Sequence, residues 1–174
     1  MGEMKPDVAI VDLTLKDSSG LELIKDLKTC HPAVAVLVLS MHDEALYAER
    51  SLRAGATGYI MKRETTKKVI EAIRRVLEGK LYVSHAVAEA ITVRSVAGNI
   101  PKTQTPLERL SDRELEVFEM LGQGLGTRQI AETLKVSIKT VQVYCARAKE
   151  KMNLSSATEL LREALRWNET KQPP

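Results

Sequence analysis

Aromatic side chains are nearly missing from this chain. They make up 3% of its 174 residues, too few for base stacking to be its main mode of binding nucleic acid. Cysteine is scarce as well. Cys30 and Cys145 stand far apart with no pattern of spacing, which predicts reduced thiols and no disulfide framework. No run of about 18 apolar residues occurs, so no membrane-spanning helix is expected. The opening Met1-Gly2-Glu3-Met4-Lys5-Pro6 holds no apolar signal-peptide stretch, which argues against secretion and for the cytoplasm. A large charge imbalance is absent too. Lys and Arg number 26 against 23 Asp and Glu, a net +3, which alone says little about nucleic acid.

What is present is ordinary globular material in two patterns. Hydrophobic residues are 44% and charged residues 28%, enough apolar substance for two small cores. Before residue 95, apolar runs alternate with amphipathic segments. Val8-Ala9-Ile10-Val11 and Val34-Ala35-Val36-Leu37-Val38-Leu39 are rich in β-branched residues and nearly continuous, as in strands buried on both faces of a parallel sheet. A third strand, Gly58-Tyr59-Ile60-Met61, follows. Leu21–Lys28, Glu44–Ala54, Thr66–Glu78 and Ser84–Val93 read as helices. Strand–helix alternation predicts βαβ units and a doubly wound α/β fold. Ser95–Pro106 holds two prolines, a glycine and small polar residues without periodicity, as a linker does. The chain is thus expected to divide into 1–94, a linker 95–106, and an all-helical 107–174.

The helical part carries the sharpest pattern. Ser111-Asp112-Arg113-Glu114 is a capping box, each end residue satisfying the other's backbone N–H. Leu115, Val117, Phe118 and Leu121 form its apolar stripe, and Gly122, Gly124 and Gly126 end it. Thr127–Lys135 and Ile138–Met152 follow as two helices across a short turn. That is the spacing of a helix-turn-helix, whose second helix lies in the DNA major groove. In that second helix, after its expected N-cap Ser137, Val141, Tyr144 or Cys145, Ala148 and Met152 recur at helical spacing and face a core. The opposite stripe is Lys139, Gln142, Val143, Ala146, Arg147 and Glu150, at offsets 0, 3, 4, 7, 8 and 11. Gln suits adenine, Arg suits guanine and Val suits a thymine methyl, while Lys139, Thr140 and Lys149 suit phosphates. Between residues 139 and 151, Lys139, Arg147, Lys149 and Lys151 face only Glu150. A merely solvated helix face is the open alternative.

Asp12, Ser40 and Lys62 stand at the carboxyl ends of the three strands, where open α/β sheets bind ligands. They are either a site or three loop residues.

Two resemblances bear on these readings. Leu110 through Glu114, Gly124, Ile130-Ala131, Val136-Ser137, Lys139-Thr140-Val141 and Lys151-Met152-Asn153-Leu154 resemble the LuxR-type DNA-binding domain across 107–167. The resemblance implies double-stranded DNA as partner, with Gln142, Val143 and Ala146 facing bases. Ala146 stands where relatives often carry a basic residue, and Gly126 where they often carry a capping Ser or Thr. Ala157–Trp167 is similar to the family's dimerisation helix, so Leu160, Leu161, Ala164 and Leu165 are either a homodimer face or core.

Arg53-Ala54-Gly55-Ala56-Thr57-Gly58-Tyr59-Ile60-Met61-Lys62 resembles the receiver domain of bacterial two-component response regulators, a flavodoxin-like (CheY-like) α/β fold. The resemblance implies that Asp12 accepts a phosphoryl group from a sensor histidine kinase. Ser40 and Tyr59 would be the switch residues and Lys62 the invariant lysine. It implies Mg²⁺ at Asp12, the Thr14 carbonyl and an acidic pair. Receiver and LuxR-type domain in this order make the architecture of the NarL/FixJ family of transcriptional regulators, which are not enzymes.

The acidic pair belongs after a first strand roughly forty residues before the phospho-acceptor in that family, and eleven residues precede Asp12 here. The expectation is therefore a partial receiver with strands 3–5, whose Val8–Val11 edge is bare. A fragment, a misplaced start, or an edge covered by another chain would each account for it. Two other classes stay open: an interaction module that ignores phosphate and uses the receiver part for dimerisation, and a small phosphotransfer enzyme using Asp12.

Overall fold

The computed structural model describes residues 6–15, 19–96 and 105–171. They fall into two units, Met1–Pro101 and Lys102–Pro174.

In the first unit, β1 (Val8–Val11), β2 (Ala35–Ser40) and β3 (Gly58–Met61) run parallel in the order β1-β2-β3. Val8 pairs with Ala35 and Leu37 with Gly58. This register sets Val8, Ile10, Leu37 and Ile60 on one face and Val11, Val36, Val38, Ser40 and Tyr59 on the other. The helices are α1 (Gly20–Cys30), α2 (Glu44–Ala54), α3 (Thr66–Leu77) and α4 (His85–Val96). On the first face, Ala72 and Val76 of α3 close a core with Leu37 and Ile60, flanked by Val69 and Ile73. Each Leu, Ile or Val among them contributes about 1.5–3 kcal/mol when fully buried. On the other side of the unit α2 packs against β3 and α1, and Ile24, Val36, Val38 and Ala48 are shut from solvent.

The sheet's two margins differ. Beside β3 the chain returns at Tyr82, whose carbonyl accepts from Tyr59 N at 2.8 Å. A Cβ on Gly58 would meet that carbonyl, Leu37 and Val76 at 3.0 Å each, so the close approach requires glycine. Among the described residues no strand pairs with the outer edge of β1, and Ile10 on it is half exposed.

The second unit begins with a 3₁₀ turn, Pro106–Arg109, and continues as α5 (Asp112–Gly122), α6 (Thr127–Thr133), α7 (Ile138–Lys151) and α8 (Ala157–Lys171). Helix α5 is central and packs on both α7 and α8. Leu115, Val117, Phe118, Ile130, Val141 and Leu160 form its solvent-free interior. The capping box closes as expected, with Ser111 N donating to Glu114 Oε2 at 2.7 Å and Glu114 N to Ser111 Oγ at 3.4 Å.

Some boundaries move from the expected ones. Helix α6 stops at Thr133 because Lys135 takes a left-handed φ of 53° and Val136 N donates back to Ala131 O at 3.0 Å, a Schellman-type ending usually made with glycine. The turn before α7 is therefore residues 134–137. Helix α4 runs on to Val96 and α8 to Lys171, past the expected Val93 and Trp167. Pro106 of the expected linker opens the 3₁₀ turn, and residues 97–104 of that linker lie outside the described residues. No helix among the described residues is long and apolar enough to cross a membrane.

Candidate functional site

Two places gather polar residues: the carboxyl ends of the strands and the outward face of α7.

Asp12 follows β1. Its Oδ1 accepts from Thr14 N at 3.0 Å, and its Oδ2 pairs with the Lys62 ammonium. Lys62 follows β3, where its backbone N donates to Ser40 O at 2.9 Å. Ser40 ends β2 fully buried, and its Oγ accepts from His42 N at 3.1 Å. Tyr59 is buried beside it with its hydroxyl donating to His42 O at 2.7 Å. Gly20 lets α1 start tightly against this loop, since a Cβ there would lie 2.7 Å from Asp12 O. The strand ends thus bring together an acid, a cation and a buried hydroxyl. Such a set can attach an anion at Asp12 and offset its charge through Lys62. Asp12 and Lys62 are both partly exposed, so as a resting ion pair they contribute at most about 1 kcal/mol.

Sequence reasoning missed His42. Its backbone engages both Ser40 and Tyr59, its Nε2 lies 3.1 Å from Thr14 Oγ1, and its ring packs 4.7 Å from Tyr47. Nothing in the sequence marked it beyond its place two residues after Ser40.

The cluster does not fit a tight Mg²⁺ site. Asp12 and the Thr14 carbonyl are its two oxygen donors of the expected set, and Asp12 is already paired with Lys62. Among the described residues no group of three or more His, Cys, Asp or Glu is placed to hold a metal ion. Mg²⁺ demands a near-octahedral oxygen shell.

On α7, Lys139, Gln142, Val143, Ala146, Arg147 and Glu150 are all exposed, while Val141, Ala148 and Met152 are buried and Tyr144 and Cys145 are half-buried. Burial pushes the Cys145 thiol up, so it stays protonated at neutral pH. The helix starts at Ser137, whose Oγ accepts from Thr140 N at 3.0 Å and lies 2.8 Å from Thr140 Oγ1. Thr140 is therefore part of the cap. Lys149 is half-buried.

Lys151 changes the charge balance read from the sequence. Its ammonium lies 2.6 Å from Glu114 Oε2, on a side chain only 3% exposed, so this cation is spent inside the unit. Burial pushes the Glu114 carboxyl up, but Lys151 and both the N–H and hydroxyl of Ser111 outweigh it and hold it below the ordinary value. Arg128, exposed on α6, is a cation that sequence reasoning passed over. On α8, Leu160 and Ala164 are core, whereas Leu161 and Leu165 are exposed.

Comparison with known proteins places both halves. Residues 1–74 match the response regulator receiver domain, and residues 108–164 match the bacterial regulatory proteins of the luxR family. The oxygen regulatory protein NreC of Staphylococcus carnosus is 34% identical over 166 residues, covering 93% of this chain and 76% of that protein. NreC of Staphylococcus epidermidis is 34% identical over 169 residues, covering 94% and 78%. RcsB of Salmonella enterica serovar Typhimurium, solved on promoter P1flhDC with the phosphomimetic BeF3-, superposes with a TM-score of 0.62 at 25% identity over 93% of this chain and 76% of that one. With a receiver half, a luxR-family half and relatives aligned along nearly its whole length, the chain belongs to the two-component response regulators of the NarL/FixJ type.

Proposed function

We propose that this regulator reads double-stranded DNA through α7. Gln142, Val143, Ala146 and Arg147 face base edges, and Lys139, Thr140 and Lys149 hold phosphates. The observation that carries this is the exposed α7 stripe, cationic at Lys139 and Arg147 and uncharged between them. The RcsB structure on promoter DNA supports the same use of the unit. Working parts are a receiver that runs through the end of α4 at Val96 and a DNA reader that begins at the 3₁₀ turn of Pro106, with the linker between them. Partners are a second copy on a two-part site, through the exposed Leu161 and Leu165, and a sensor histidine kinase. The compartment is the cytoplasm, and the role is regulation rather than enzymatic turnover.

The test is duplex binding by the full chain, with sites selected from a randomised pool. Affinity falls linearly on a log–log salt plot, by about 0.9 per phosphate contacted. Gln142→Ala costs about tenfold on the selected site and relaxes preference at one position. Lys139→Ala weakens all sequences alike and reduces the salt slope by about one. Equal losses for Gln142→Ala and for Lys80→Ala in the other unit would remove α7 as the reading face.

Asp12 is the phosphoryl-accepting position in this reading. Its carboxylate oxygen attacks phosphorus, the donor leaves, Lys62 neutralises the phosphoryl oxygens and Ser40 hydrogen-bonds one of them. In the receiver family Mg²⁺ shields the incoming charge, and the donor set here falls short of holding it. The expected result with acetyl phosphate and Mg²⁺ is a minor labelled fraction of the 174-residue chain, absent from Asp12→Asn. Stoichiometric labelling would show that the chain completes its metal site after all.

A further inference from the structure

We infer that the Glu44 carboxylate ties the start of α4 to the strand-end cluster, so that the hold on α4 follows the state of the Ser40 hydroxyl. Ser84 stands just before α4, and its hydroxyl makes two bonds. It donates to Glu44 Oε1 at 2.9 Å and accepts from Val87 N at 3.3 Å. The second bond caps α4. The first fastens that cap to α2, 40 positions away in sequence. The remaining grip on α4 is slight. Among its described residues Val87 alone is buried, with Ala88 and Ile91 half-buried. Helix α4 is also the last element of the first unit before the chain passes to the second, so its release would be felt where the connection begins.

Glu44 moves with the loop that follows Ser40. It is the first residue of α2, directly after the N-cap Asp43, whose Oδ1 accepts from Ala45 N at 2.9 Å. His42, one residue earlier, packs its ring 4.7 Å from that of Tyr47 in the same first turn. Residues 42–47 therefore shift as one piece. Two bonds of the His42 backbone join that piece to the sheet: its N–H donates to Ser40 Oγ at 3.1 Å, and its carbonyl accepts from the Tyr59 hydroxyl at 2.7 Å. An anion attached at Asp12, the reading given above, draws Ser40 Oγ toward a phosphoryl oxygen and away from His42 N. The bond from Ser84 tolerates little of the shift that follows, because about 0.7 Å of added separation takes a 2.9 Å contact out of hydrogen-bond range. The trigger rests on Asp12 as the accepting position, and the tie itself does not.

Hydrogen exchange of the full chain, read at the α4 amides from Ala88 to Val93, tests the tie. Glu44→Ala raises their exchange about tenfold, the worth of one hydrogen bond to a charged group. Glu44→Gln keeps an acceptor for Ser84 and raises it about threefold or less. Ser40→Ala removes the acceptor of His42 N, and Tyr59→Phe removes the donor to its carbonyl. Each raises α4 exchange in an otherwise unaltered chain and adds nothing in the Glu44→Ala chain. The strand amides Val36 to Val38 stay protected throughout, which separates release of α4 from general unfolding. Unchanged α4 exchange in Glu44→Ala overturns the inference. So does α4 exchange that ignores both Ser40→Ala and Tyr59→Phe, or effects of these two that add in full to that of Glu44→Ala. The expected pattern in a chain whose Asp12 takes no phosphoryl group from acetyl phosphate supports the tie and removes the proposed trigger.

Discussion

Glu114→Ala is expected to destabilise the second unit by about 3 kcal/mol, adding a charge-assisted hydrogen bond and a lost helix cap. The carboxylate is buried and serves two groups at once, the Ser111 N–H that opens α5 and the Lys151 ammonium that ends α7. Glu114→Gln keeps the cap and loses the charge, so it should cost about 1 kcal/mol, the size of one ordinary hydrogen bond. Thermal unfolding of the full chain checks both. About 3 kcal/mol lowers the transition of a domain this small by roughly 12–24 °C, and an alanine variant melting within a few degrees of wild type would deny the link its role. The pH dependence has a definite sign. A Glu carboxyl held low in the folded unit contributes its stability fully above the unfolded Glu range near 4.3, and the contribution is lost as pH falls through the lower folded value. Acid unfolding of the wild type should therefore steepen below about pH 4.3 relative to Glu114→Gln.

Gly122→Val should be at least as damaging, by about 3 kcal/mol, the upper range for overpacking a close contact. Gly122 ends α5 directly against α8. A Cβ there would fall on the Ala164 carbonyl, 3.0 Å from its carbon and 3.2 Å from Asn168 Cβ. The obstacle is backbone, which cannot rotate away as a side chain can. Alanine at this place gains about 1 kcal/mol of helix propensity over glycine, yet the clash is of the same kind, so Gly122→Ala should also destabilise. Circular dichroism on heating reads the effect. A Gly122→Ala chain more stable than wild type would mean that α8 stands off from α5 by more than this geometry allows.

Much of the fold could be read from local pattern. The strand Val8–Val11 and the helix Glu44–Ala54 coincide with expectation, because continuous β-branched runs and one-sided apolar spacing are local signals. So are the Ser111 and Ser137 caps, whose partners lie three residues away. What escaped depends on residues distant in sequence. Lys151 looked like one more cation for DNA, and only packing of α7 on α5 brings it to Glu114, 37 positions earlier. His42 acquires its contacts to Thr14 and Tyr59 only when β1, β2 and β3 align. Tyr82, which covers one edge of β3, was not marked as a strand partner because a single bridge leaves no periodic trace. On α8, four apolar residues offered two faces, and only the packed structure assigns Leu160 and Ala164 inward and Leu161 and Leu165 outward.

The near absence of aromatic residues has a practical side. The chain's single tryptophan, Trp167, packs 5.7 Å from its single phenylalanine, Phe118, across α8 and α5. Light absorbed by tryptophan alone therefore excites one point, inside the unit that holds α7. Its emission follows the loosening of that unit while the sheet unit stays dark, and any quenching on addition of duplex DNA reports from the reader itself. The molecule comes with its own fluorescent label, already placed, and needs no dye.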